Sequence, residues 1–122
     1  MNDVIAEYRR GVLYFDAGDP IEAAKILLAV LEQEPGNAEV RLWLARACFA
    51  SAQLNRAETH LRALVERDPS DHYACHLLGR TLERQNRPRE ALPFLRLAAA
   101  MSPAPEYADA VRRVATRKSA GN

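Results

Sequence analysis

An all-α solenoid of three helical hairpins plus a closing helix is the fold this sequence predicts. The first observation behind it is that Pro35, Pro69 and Pro103 stand 34 residues apart. The second is that other columns keep the same interval: Ala23, Ala57 and Ala91; Leu27, Leu61 and Leu95; and the small residues Gly11, Ala45 and Gly79. The third is that apolar residues between the prolines recur at helical spacing, with a turn signal near the middle of each interval. A fixed period of this length marks stacked two-helix units, each burying an apolar face on the next. The role such a stack implies is binding.

The first unit, residues 4–37, opens with a helix over Val4–Ala17, where Ile5, Tyr8, Val12 and Phe15 mark one face and Gly11 and Tyr14 another. Gly18 supplies a turn, Asp19 an N-cap, Pro20 the first helical position, and Glu22 completes a capping box. Ala23, Ala24, Leu27, Leu28 and Leu31 carry the second helix, which Glu34-Pro35-Gly36-Asn37 ends. The second unit, 38–71, repeats this with helices over 38–50 and 55–67, the latter capped by Asn55 and Glu58. The third, 72–105, has helices over 72–84 and 88–101, with Pro88 placed as Pro20 is and Pro93 expected to kink its helix. Ala52 replaces the glycine of the first turn, so that turn is expected to be tighter or strained, whereas Asn86 tolerates the left-handed region. A capping helix over 106–117, with Tyr107, Ala110, Val111 and Val114 on one side, closes the open end, and 118–122 is expected to be a disordered tail.

At 122 residues the chain is expected to form a single domain over 1–117. Apolar residues at 48% and charged ones at 27% fit an ordinary globular protein, and no run reaches the roughly 20 apolar residues of a membrane helix. The acidic start, Met1 to Glu7, lacks a signal-peptide pattern, so a cytoplasmic protein without membrane partners is expected. An excess of Arg over Lys, 15 against 2, suggests a GC-rich bacterial source. The net charge of +1 argues against nucleic acid as a partner, yet it hides a gradient. Three basic against six acidic groups in 4–37 give way to five against two in 72–105. A surface of both signs serves solubility first, and the resulting dipole could orient a charged partner.

The periodic columns resemble the tetratricopeptide repeat, over residues 4–105, with the last helix resembling that family's capping helix. The family's usual tryptophan is replaced by Glu7, Arg41 and Cys75, and its usual tyrosine survives only as Tyr14, with Cys48 and Leu82 in the other copies. The resemblance implies a right-handed stack whose first helices line a concave groove that grips peptides or proteins. It would place Ile5, Tyr8, Val12 and Phe15 in that groove, then Leu42, Trp43, Arg46 and Phe49, then Tyr73, His76, Arg80, Glu83 and Arg84. Phe15 and Phe49 read as half-buried packing before they read as contacts, so Trp43 and Tyr73 are the stronger contacts. Family members that clamp the acidic tails of heat-shock chaperones do so with cations and amides. The matching positions here hold Tyr8, Val12, Trp43, Tyr73 and Leu77, so no chaperone C-terminal tail is expected as partner. The expected ligand is a protein or peptide segment mixing apolar and acidic residues, facing Arg46, Arg80 and Arg84.

Other chemistry is thinly represented. His72, Cys75 and His76 lie on about one helical turn, but the usual zinc spacings are missing and Cys75 falls at a core position. A metal or redox sensor there, or a redox pair of Cys48 and Cys75, ranks below buried, inert thiols. No nucleophile motif or phosphate-binding glycine loop is present, so neither catalysis nor a cofactor is expected. Arg112, Arg113, Arg117 and Lys118 make a small basic patch on the last helix, and charges near a helix C-terminus explain part of it. The reading is a non-catalytic adaptor or scaffold. Its alternatives are homo-oligomeric assembly and a small structural subunit of a larger complex.

Overall fold

The computed structural model describes residues 3–120, with side chains to residue 117. Among these residues the chain forms seven α-helices and no strand. They are α1 (Val4–Asp16), α2 (Pro20–Gln33), α3 (Ala38–Ala50), α4 (Leu54–Arg67), α5 (His72–Arg84), α6 (Pro88–Met101) and α7 (Pro105–Ala120). The chain clusters into two compact units, Met1–His60 and Leu61–Asn122, and the division falls inside α4. Helix α7 runs to Ala120, three residues past its expected end. Of the expected tail, Gly121 and Asn122 lie outside the described residues, as do Met1 and Asn2.

The helix starts follow a column that the sequence reading missed. Asp3, Asn37 and Asp71 stand 34 residues apart and cap α1, α3 and α5. The Asp3 carboxylate accepts the Ile5 and Ala6 N–H groups at 3.0 and 3.2 Å. Asn37 Oδ1 accepts that of Val40 at 3.1 Å, and Asp71 that of Ala74 at 3.0 Å. Each such bond satisfies a donor that a helix start otherwise leaves unpaired, and is worth about 1 kcal/mol. The second helices are capped less uniformly. Asp19 accepts the Glu22 N–H as expected, whereas Arg87 makes no side-chain cap and pairs with Glu90 instead. Helix α4 begins at Leu54, which puts Asn55 in its first turn and removes it as the expected cap. Helix α6 runs unbroken through Pro93.

The turns inside the repeats are the same turn three times. Gly18, Ala52 and Asn86 all sit in the left-handed region, at φ of 86°, 60° and 61°. Around each, one amide bonds back five residues: Asp19 to the Tyr14 carbonyl, Gln53 to Cys48 and Arg87 to Leu82, at 2.8–2.9 Å. With the shorter bonds Gly18 to Phe15, Ala52 to Phe49 and Asn86 to Glu83, these are Schellman exits. Ala52 alone holds this conformation with a Cβ and no local polar compensation, at a cost of about 1 kcal/mol. Ala52→Gly should therefore raise stability by at most about 0.5 kcal/mol, after the looser unfolded glycine chain takes back half or more of the gain. Thermal unfolding checks this, with a melting point up to about 2 °C higher expected and a lowered one contradicting the strain.

In the first unit, α2 packs against both α1 and α3. Close approach of α1 to α2 requires Gly11, where an added Cβ would stand 2.8 Å from Leu27 Cγ. Ala23, Leu27, Val30 and Leu44 are buried around this contact. In the second unit α6 packs against α5 and α7. Gly79 meets Leu95 as Gly11 meets Leu27, and Leu78, Leu82, Leu92 and Val114 fill the core. Cys75, Ala98 and Tyr107 form a further cluster under Val65 and Met101.

Candidate functional site

The face that α1 and α3 share in the first unit gathers most of the residues singled out from sequence. Phe15 meets Trp43 edge-on, with ring centroids 5.5 Å apart. The Arg46 guanidinium lies over both rings, 4.8 Å from the Phe15 centroid and 4.4 Å from that of Trp43. Both rings stay half-buried, so the cluster offers aromatic surface and a positive charge together. The Tyr8 hydroxyl donates to Glu39 Oε1 at 2.8 Å. Burial first, and then the Glu39 carboxylate, push its pKa up to about 12, so Tyr8 remains a neutral donor. Val12, Leu42 and Phe49 are half-buried nearby in sequence, and Ile5 is exposed. Tyr8 and Val12 also border a shallow hollow of about 330 Å³ with Arg9 and Leu13.

The second unit corrects part of the expectation. Tyr73 is half-buried and Arg84 exposed. His76 is only 6% exposed and Glu83 9%, which removes both as contacts. The reason is α7. Its Tyr107 ring stacks on His76 with centroids 4.4 Å apart, and its hydroxyl shares a 2.9 Å hydrogen bond with His72 Nδ1. Further along, Arg113 forks onto Glu83 at 2.5 and 2.8 Å. Arg117 donates to the Glu83 carbonyl and to Asn86 Oδ1, and Arg80 reaches Glu83 at 3.1 Å. The Arg113 hydrogen bond holds the Glu83 carboxyl below the usual carboxylate range. Arg113 and Arg117 thus bind α7 to α5, and Arg112 pairs with Asp109 on its own helix. The basic patch read from sequence is largely consumed internally, and the Lys118 side chain lies outside the described residues.

His72, Cys75 and His76 do not converge. The Cys75 thiol is fully buried against Ala98 and Tyr107, and its nearest acceptor is the Pro69 carbonyl at 3.8 Å. Burial raises the pKa of this thiol, and likewise that of Cys48. Among the described residues no group of three or more His, Cys, Asp or Glu side chains is placed to hold a metal ion.

His76 Nδ1 is buried with no hydrogen-bond partner, which favours the neutral ring. Burial lowers its pKa from 6.5, and Arg80 and Arg113 act in the same direction against Glu106 and Glu83. A histidine whose folded pKa is depressed contributes stability that is complete above its unfolded value and declines as pH falls. The melting temperature should therefore decrease below pH 6.5, and His76→Leu should flatten that decrease. Equal slopes in wild type and variant between pH 7.5 and 5.5 would exclude His76 as its source.

The contacts that sequence reasoning missed join residues about 30 positions apart: Tyr8 with Glu39, and Glu83 with Arg113 and Arg117. A usable signal existed for Glu83, one of only two acids among five arginines in residues 72–105.

Two family models, each described as tetratricopeptide repeat, match residues 14–74 and 49–108. No curated protein matches the chain. Among solved structures, MamA from Desulfovibrio magneticus RS-1 superposes with a TM-score of 0.91 at 21% identity, over 96% of this chain and 67% of its own. The first TPR of Spaghetti (RPAP3), bound to the HSP90 peptide SRMEEVD, gives 0.87 at 19% identity, over 95% and 93%. YrrB, described as a TPR protein with an unusual peptide-binding site, gives 0.83 at 21%, over 93% and 58%. At these identities the likeness is one of fold. The chain spans about two thirds of the length of the MamA chain it matches.

Proposed function

We propose, for a chain that belongs to the tetratricopeptide repeat family, a non-catalytic role in holding a segment of another protein against its first helices. The observation that carries this reading is the cluster of Phe15, Trp43 and Arg46, where two aromatic rings and one guanidinium stay accessible together. Residues of these types supply most binding energy at protein interfaces. Tyr8, Val12, Leu42 and Phe49 extend this surface in the first unit. That two structures of similar fold are described with a bound peptide or a peptide-binding site supports the class of partner.

The segment it holds pairs apolar side chains with an acidic one, the apolar part on Phe15 and Trp43 and the carboxylate on Arg46. A chaperone tail gripped by its terminal carboxylate fits poorly. The Tyr8 hydroxyl is already given to Glu39, Val12 is apolar, and Leu77 is only 6% exposed.

Trp43 is the sole tryptophan, so its fluorescence reports the site directly. Peptides selected from a random display library on the whole chain should be enriched in an aromatic or aliphatic residue beside Asp or Glu, and should shift Trp43 emission. Trp43→Ala should weaken them by about tenfold or more. Selected peptides that bind Trp43→Ala and Arg46→Ala as tightly as wild type would place recognition elsewhere.

A further inference from the structure

A cavity in the first unit shares no residue with that surface. It measures about 570 Å³ and lies among α2, α3 and the first turns of α4, within the size range of small-molecule sites. Its apolar part is formed by Ile21 and Leu28 of α2 with Leu44 and Cys48 of α3. Leu44 and Cys48 are buried, but Ile21 and Leu28 are 58% and 39% exposed, an arrangement that leaves apolar surface facing an open hollow. The Cys48 thiol, its pKa raised by burial, acts as part of this apolar lining.

The polar lining is one-sided. Lys25, Arg56 and His60 contribute to it, and no carboxylate does. Lys25 pairs with Glu22 on its own helix, 4.0 Å away, a contact of little strength. The neutral acceptors are already engaged. Gln53 Oε1 accepts from Arg56 at 3.0 Å, and Ser51 Oγ accepts from Gln53 while donating to the Ala47 carbonyl, both at 2.8 Å. Arg41 donates to His60 Nδ1 at 3.0 Å, so the neutral ring carries its proton on Nε2 and is itself a donor. Burial, then Arg41 and Arg56, lower the His60 pKa. The side chains around this hollow therefore offer mainly donors and positive charge, and each neutral acceptor among them already holds one partner.

We propose that this cavity binds a small molecule whose apolar chain ends in a carboxylate, the chain lying on Ile21, Leu28, Leu44 and Cys48 and the carboxylate meeting Arg56, His60 and Lys25. An acceptor-only head group matches such a lining, and charge-assisted hydrogen bonds to it are the strong kind. A peptide strand fits less well, because each of its amides brings an N–H, and the neutral acceptors in this lining already hold a partner.

Decanoate, held below its micellar concentration, tests this by calorimetry on the full chain, with decanol as the uncharged comparison. One decanoate should bind per chain, about tenfold or more tighter than decanol. Arg56→Glu, at an exposed position outside the core, should weaken decanoate by about tenfold or more and leave decanol unchanged. The His60 ring followed by NMR should titrate at higher pH with decanoate bound, since a carboxylate beside it offsets the two guanidiniums. Trp43→Ala should bind decanoate as wild type does, which separates this site from the peptide surface. No binding, equal affinity for decanol, an unaffected Arg56→Glu variant or an unmoved His60 titration would each overturn the proposal.

Discussion

Gly79→Val should destabilise the protein by about 3 kcal/mol or more, one of the two largest effects expected in this chain. A Cβ at position 79 would stand 2.5 Å from Leu95 Cγ and 3.3 Å from the Ala91 carbonyl oxygen. Leu95 is fully buried, so it has nowhere to swing, and the carbonyl belongs to the α6 backbone. Helix propensity acts in the opposite sense, since replacing glycine by alanine within a helix is worth about 1 kcal/mol. Overpacking wins for valine, which adds two further methyl groups and a stiff χ1. The contact can be isolated with Gly79→Ala and Leu95→Ala. The second should cost about 2–5 kcal/mol alone, and the pair should cost at least about 1 kcal/mol less than the sum of the two, because each change makes room for the other. Urea unfolding measures all four proteins, and strict additivity would show that α5 and α6 do not meet through these residues. Gly11→Ala should be milder, as its Cβ stands 2.8 Å from Leu27 Cγ and its three nearest neighbours are all side-chain atoms.

Glu83→Ala should cost about 2–3 kcal/mol at neutral pH, below the full figure for breaking a buried pair. The discount follows from geometry, because the Glu83 side chain is 10% exposed but that of Arg113 is 43% exposed and regains water. What is lost is the junction itself: a forked Arg113 contact, the Arg80 contact and the setting in which Arg117 reaches the Glu83 carbonyl. The pH dependence has a definite sign. Glu83 has a folded pKa below 4.5, so its contribution is complete above that value and disappears as pH falls through the folded value. Wild type and Glu83→Ala should therefore differ fully at pH 7 and converge in acid. A gap that stays constant down to about pH 2 would mean that packing, not charge, holds α7. Glu83→Gln, which keeps an acceptor for Arg113, should fall between the two.

The hairpins and their boundaries were legible because each repeats a local rule. Pro20 and Pro88 sit where a helix can begin, Gly18 and Asn86 where a chain can turn left-handed, and Gly11 and Gly79 where helices must touch. The capping column Asp3, Asn37 and Asp71 was equally local and could have been read at the same interval. Helix α7 was less legible. Its amphipathic pattern announced a helix, but the fate of its arginines depended on partners some 30 residues away. A basic cluster looks the same in sequence whether it faces solvent or an internal carboxylate. The same limit applied to His76, whose position in the repeat suggested a contact until Tyr107 was found stacked on it. For the first unit, the resemblance to the repeat placed Phe15, Trp43 and Arg46 in one groove, but no pattern in the sequence could show one guanidinium over both rings.

The three left-handed exits bear on how a chain like this can lengthen or shorten. Their geometry is held by main-chain bonds between Tyr14 and Asp19, Cys48 and Gln53, and Leu82 and Arg87, while the central residue is glycine, alanine or asparagine. The information for leaving a first helix is therefore carried inside each 34-residue copy and borrows nothing from its neighbours. A copy gained by duplication, or lost by deletion, brings or removes its own exit, while the Asp or Asn that caps its first helix is the residue just before it. Drift at the central residue is tolerated meanwhile, at the scale of the strain that Ala52 bears. Portability of this kind lets the number of copies change before any side chain on a binding face has to adapt.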